Sequence, residues 1–332
     1  MCATHERLIL MATVLKVLLI AAVMLMATVG ASAQPAQVVV GSFVNKIQDI
    51  DFRNNKFSID FYLWFRWKAE GRLTDFKPLE SFEILNGRVE SRSSVVEKRI
   101  GDTQYAAVRV NATIAENWNL ARFPFDSHRV RVYIEDSTFT AVDMVFLPDT
   151  TNSALGDELN MAGWQATNLE ATVDSKTYRT NYGDTSLPTD AQSAYSRFVI
   201  NFSLERRTYG AAIKLLNMVL LASAVAFLAF MVKPSDLDAR FGMGVGALFA
   251  AAASAIIAAS DVPESGSMTI ADHMHMVALG VIFATLLMST LCLKLETSGR
   301  EALSYRLDRI CLVVFPMLFY SWAAWKVWDA LR

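Results

Sequence analysis

Cysteine is nearly missing from this chain. Of its 332 residues only Cys2, Cys292 and Cys311 are cysteines, so no disulfide framework ties residues 34–291 together. An excess of either charge is also missing. The 31 Lys and Arg against 33 Asp and Glu leave a net charge of −2, without the basic footprint of a nucleic-acid binder. No Ser/His/Asp, Cys/His or metal-ligand spacing stands out in residues 34–207, so no enzyme, no cofactor and no metal site is expected there. What is abundant is apolar: 53 % of the chain, above the roughly 45–50 % of soluble domains, and unevenly spread.

The first 33 residues look like an address label. Arg7 and Lys16 precede the apolar run VLLIAAVMLMATVG, then Ala-Ser-Ala at 31–33 and a polar QPAQ. A charged start, a short apolar core and small residues before a polar stretch predict a secretory signal; an uncleaved anchor is the alternative. Residues 34–207 are then expected outside the cytoplasmic membrane.

That exported part reads as β-structure. In KFSIDFYLWFRWK, Phe57, Ile59, Phe61, Leu63, Phe65 and Trp67 fall on one face of a strand and Ser58, Asp60, Tyr62, Trp64, Arg66 and Lys68 on the other. YAAVRVNATI and SRFVINFSLERR alternate too, the latter burying Phe198, Ile200, Phe202 and Leu204. Val130, Val132 and Ile134 alternate with charged and polar neighbours after the Phe-Pro-Phe-Asp of residues 123–126. Short alternating strands between turn-rich stretches predict an antiparallel, immunoglobulin-like β-sandwich.

The remainder changes solvent. Residues 211–232, 241–260, 271–293 and 310–330 are each about 20 mainly apolar residues, enough to span a bilayer. The first and third connections carry Lys233, Arg240, Lys294, Arg300, Arg306 and Arg309, whereas SDVPESGSMTIADHMH carries no Lys or Arg. The positive-inside bias puts the basic connections in the cytoplasm and both termini outside. The domains are therefore a signal at 1–33, a sandwich at 34–207 and a four-helix transmembrane domain at 208–332.

With these residues in view, the chain resembles the prokaryotic pentameric ligand-gated ion channels of the Cys-loop receptor superfamily. FPFD at 123–126 is similar to the signature loop, with Glu116 and Val130 where animal members have the bracketing disulfide. FYLWFRWKAEGRL resembles the second strand, AGWQATNLEATV the approach to the ligand-capping loop, and DARFGMGVGALFAAAASAIIAASDVP the pore helix, ending at Pro263. The resemblance implies a homopentamer in the plasma (inner) membrane, with a periplasmic ligand-binding domain. It implies opening by a small ligand or protons and passage of monovalent cations. The competing class is a non-conducting membrane sensor or binding protein of the same fold.

Roles follow from the same resemblance. Phe123, Pro124, Phe125 and Asp126 would couple the domains, with the two Phe wedged towards residues 261–270 and Asp126 paired with Arg206 or Arg207. Counted from Arg240 at every third or fourth residue, Gly242, Gly246, Phe249, Ala253, Ile256 and Ser260 share a face. In the family that face lines the pore, though Gly, Ala and Ser also mark tightly packed membrane helices. Gly242 and Gly246 stand where hydroxyl residues are common, Phe249 where a Leu is usual, and no proline occurs near Leu221. Asp238 would ring the inner mouth and favour cations, with Asp261 and Glu264 at the outer mouth. Ala239-Arg240 also occurs in anion-selective relatives, where Pro replaces the Asp. Tyr62, Trp64, Phe139, Tyr178, Tyr182 and Tyr195 would line a ligand site between subunits, or merely pack that interface. His128, His273 and His275 are candidates for pH sensing.

Overall fold

A computed structural model describes residues 34–331 apart from 158, 160, 162, 184, 186, 187, 189–191 and 261–267. The expected signal at 1–33, Asp261, Pro263 and Glu264 lie outside the described residues. Ten strands form two sheets, followed by four long helices.

The first sheet runs β4 (Gly87–Ile100), β5 (Thr103–Ala115), β2 (Lys56–Lys68), β1 (Ala36–Asp51) and β7 (Met144–Pro148), with β8 (Ala154–Leu155) also beside β1. The second runs β3 (Phe82–Ile84), β6 (Ser127–Asp136), β10 (Ser193–Arg206) and β9 (Trp164–Tyr178). The alternation in β2 sorts its side chains as read. Phe57 to Trp67 in steps of two are buried, and they share one core with Val130, Val132, Ile134, Phe198, Ile200, Phe202 and Leu204 of the other sheet. Period-two burial from both sides makes this a two-layer packing. One expectation fails in part: β7 and β8 pair parallel with β1. The chain crosses from β6 in the second sheet back to the edge of the first, so it arrives running with β1. Strand β4 is an outer edge with most of its residues exposed on both faces, Val95, Val96 and Ile100 among them.

The helices are α1 (Thr208–Leu228), α2 (Leu237–Ser260), α3 (Ile270–Thr297) and α4 (Glu301–Ala330). All four are long and apolar enough to cross a membrane, which makes this a multi-pass membrane protein. The last helix begins nine residues before the expected 310. Glu301–Arg309 reads as a connection by charge, yet it lacks any helix breaker, and Glu301 in the first turn suits the positive end of the helix dipole. The break is the three residues 298–300, centred on Gly299, whose φ of +79° favours glycine. The Ser304 hydroxyl then donates to the Cys292 carbonyl (2.8 Å), closing the α3–α4 hairpin.

The bundle core joins Leu216, Val219 and Phe227 of α1, Ala247 and Ala251 of α2, Met274, Ala278 and Ile282 of α3, and Phe319 and Ala323 of α4. Sandwich and bundle meet at the loop before β6. The Ala271 N–H donates to the Phe123 carbonyl (3.3 Å). Ala271 joins the sandwich core, while Phe125 packs on the bundle core.

Candidate functional site

The junction is organised by one buried carboxylate. Asp126 accepts from Arg206 Nε (2.9 Å) and Nη2 (3.3 Å) and lies 2.6 Å from His128 Nε2. Of the two arginines left open by the sequence, Arg206 is the partner; Arg207 is exposed, its backbone N–H donating to the Gly163 carbonyl. The parity of β10 explains the choice. Even-numbered residues 198–204 face the core, and Arg206 continues that row. The guanidinium lies 4.2 Å from the Trp164 ring centre, 5.0 Å from Phe123 and 5.2 Å from Phe52. Three aromatic faces thus replace the water that the cation gives up. Burial alone would raise the Asp126 pKa, but hydrogen bonds from His128 and Arg206 outweigh it and hold the carboxyl below the ordinary aspartate value. With the carboxylate ionised, His128 Nε2 carries hydrogen and donates. His128 is itself buried against Trp118, Phe52 and Trp164.

The two Phe of this loop diverge. Phe123 is buried in the sandwich core beside Arg206, whereas Phe125 packs on the bundle core and lines a cavity there with Ala212, Leu216 and Leu220 of α1 and Val327 of α4. Pro124, joined to Phe123 by a cis bond, borders a cleft of about 1010 Å³ between the sandwich base and Lys214, Leu215, Ile257 and Ser260. Most of residues 261–270, the expected seat of the wedge, lies outside the described residues; the described contact falls just beyond that range, where the Ala271 N–H meets the Phe123 carbonyl.

Helix α2 has two unlike faces. Arg240, Gly244, Ala247, Ala251, Ser254 and Ala258 are buried against the other helices. Asp238, Gly242, Gly246, Phe249, Ala253, Ile256 and Ser260 are all exposed, Phe249 by 72 % and Ile256 by 74 %. One correction applies to the register. Arg240 does not start this stripe; it lies about 200° around the helix from Gly242, and Asp238, four residues before Gly242, starts it instead. The glycines divide by face. A Cβ on Gly244 would meet Leu286 Cδ2 at 2.3 Å, whereas Gly242 and Gly246 face open space. Only Gly244 serves packing within the protomer.

Arg240 is fully buried. Its Nε donates to the Ala229 carbonyl (2.9 Å) and its Nη2 to Asp308 Oδ1 of α4, and its Nη1 has no partner. His275, one turn into α3, is buried with Nε2 3.0 Å from the Ser254 hydroxyl of α2 and Nδ1 2.7 Å from the Ala271 carbonyl. His273 lies against the Thr269 carbonyl instead.

The aromatic candidates form two sets. Tyr178 stacks near Tyr182 and Tyr195, with ring centres 6.2 and 5.8 Å away. Behind them the buried Glu135 accepts from Arg197 Nε (2.6 Å) and from the Tyr178 hydroxyl (3.1 Å). Burial, and Glu135 next to it, push the Tyr178 phenol above its ordinary value. The sequence reading missed Glu135 and Arg197, although both sit at odd positions on strands whose even positions are core. Trp64 lies over Gly41, where a Cβ would come within 2.4 Å of its ring, and donates to Asp149 (3.1 Å). Tyr62 is half-buried on the same face, 5.9 Å from the Arg109 guanidinium. Tyr62 and Trp64 are on the outer face of the first sheet, and the tyrosine trio is on the outer face of the second. Within one chain those faces point apart. Phe139 is in neither set; its ring packs edge-on against Phe76 at the rim of the core. No protein-family model and no curated protein matches the sequence.

Proposed function

We propose that this chain is the subunit of a homopentameric ligand-gated ion channel, with the sandwich in the periplasm and α2 lining a cation-selective pore. The observation that carries the reading is the bare stripe of α2. Helices α1 and α3 cover its opposite face, yet among the described residues nothing covers the stripe from Asp238 to Ser260, and a closed ring of copies would give it a partner. Asp238 then supplies a carboxylate ring at the inner mouth, and Phe249 and Ile256 supply apolar constrictions that empty of water when narrow. The two aromatic sets fit the same assembly. Sets on opposite outer faces meet only between neighbouring copies, where a small ligand, or a proton, would act. The Asp126–Arg206 pair, joined to α3 through Phe123 and to α1 through Phe125, is the coupling element.

The test is current recording of the reconstituted chain, with its mass measured in detergent. A fivefold mass is expected, and a stable dimer or tetramer would sink the architecture. Phe249→Ser should leak without ligand, because five hydroxyls hold water in the bore, while Phe283→Ser on the exposed surface of α3 should not. Asp126→Ala should assemble and fail to open. A pentamer silent as wild type and as Phe249→Ser would instead favour a non-conducting sensor.

A further inference from the structure

Helix α2 contains two charged residues, two positions apart: Asp238 on the open stripe and Arg240 on the buried face. If both charges acted at the pore mouth they would cancel, and a ring of five Asp238 would have no preference to confer. The structure places Arg240 elsewhere. It is sealed from solvent, its Nη2 on Asp308 Oδ1, its Nε on the carbonyl end of the turn that follows α1. A guanidinium cannot shed its proton, so only a partner can neutralise it. Asp308 is that partner, and it stands on α4, whose side chains take no part in the α2 stripe.

We propose that Asp308 determines the charge preference of the conduction path by neutralising Arg240, leaving Asp238 as the uncompensated charge of α2. Asp308 is a positioning and charge-balancing residue and touches no permeant ion. The inference rests on the channel reading. With the pair intact each subunit presents a net charge of −1 from Asp238 and the pair together. Without the Asp308 carboxylate the wall behind Asp238 carries a bare positive charge about 3 Å further along the helix axis, and the net falls to zero.

Because the agonist is unidentified, the measurement uses Phe249→Ser as an open background and reads the reversal potential of full-length protein in bilayers under a KCl gradient. The background alone should reverse near the potassium equilibrium potential. Adding Asp308→Asn should lower the cation-over-anion permeability ratio by about tenfold, as expected for an uncompensated buried charge about one helix diameter, about 10 Å, from the path. Arg240→Gln together with Asp308→Asn removes both charges and should restore the background value, which a merely structural role for Asp308 does not foresee. This pair of changes also stands in if Asp308→Asn alone fails to assemble, since a buried pair replaced on both sides is tolerated better than one broken. An unchanged reversal potential in Asp308→Asn, or a shifted one in the double variant, would overturn the proposal. A Phe249→Ser pentamer without current removes the channel reading beneath it, which separates the two failures.

Discussion

Among the described residues, Arg206 and Arg240 each lie against a buried aspartate, at opposite ends of the bundle, and their surroundings differ in kind. Arg206 lies under three aromatic rings, and Asp126 takes hydrogen bonds from it and from His128. Arg240 is enclosed by helices, holds one carboxylate and one carbonyl, and keeps an unpartnered Nη1. The first pair is built around the carboxylate, which is over-supplied with donors. The second is built around the cation, which is under-supplied with acceptors. A buried pair is a weak argument for stability and a strong argument for what breaks when half of it is removed. In each pair, removing one member leaves the other buried with too little: Asp126 with His128 alone, or Arg240 with a single carbonyl.

Arg206→Ala is the sharpest way to break that comparison. It leaves Asp126 buried with His128 alone and should lower the stability of the sandwich by about 3–5 kcal/mol, read as a fall in the thermal or denaturant midpoint. Arg206→Lys should recover little, because an ammonium cannot chelate both carboxylate oxygens while lying flat between rings. A Lys variant as stable as wild type would show that charge alone matters there.

Acid is the next probe. Asp126 has a folded-state pKa below its unfolded value of 3.8. The stability it confers is therefore complete above that value and is lost only as the pH falls through the lower folded value. The near-ultraviolet signal of Trp118 and Trp164 should hold from neutral pH to about pH 4 and change only below it. If the chain is the proposed channel, activation by milder acid would use other groups. Loss of that signal while the pH is still well above the ordinary aspartate value would contradict the assigned balance of hydrogen bonds.

The two faces of α2 allow a finer test. Gly244→Ala forces a methyl into Leu286 and should destabilise the bundle by about 1–3 kcal/mol, the usual range for overpacking. Gly246→Ala meets open space in the protomer and should change its stability by less than about 1 kcal/mol, in the stabilising direction. Equal costs at the two glycines, measured by thermal aggregation in detergent, would mean that the faces are not distinct.

Much of the fold was legible because its signals are local. Strand β2 announces its buried side by period two, and the four helices announce themselves by length. The misses have local causes as well. Strands β7 and β8 are too short to show a period, and their parallel pairing depends on a crossover that no window of sequence contains. The start of α4 was hidden because Arg306, Asp308 and Arg309 make a helix look like a loop, and this also hid the partner of Arg240. The choice between Arg206 and Arg207 was in fact available, since the parity of Phe198, Ile200, Phe202 and Leu204 extends to Arg206. Ring contact between Tyr178 and Tyr195 needed the β9–β10 register, which alternation alone does not fix.

The open stripe of α2 has a consequence for biosynthesis. Beyond Asp238, its Gly242, Gly246, Phe249, Ala253 and Ile256 carry neither charge nor hydroxyl until Ser260. Acyl chains can solvate such a surface without leaving a polar group stranded. If the chain assembles as proposed, a newly made subunit can therefore rest in the bilayer alone, with α2 against lipid, and meet its neighbours by lateral diffusion. Insertion and association become separable steps, as in two-stage folding of helical membrane proteins, and a cell making too few subunits would accumulate intact single copies rather than misfolded ones.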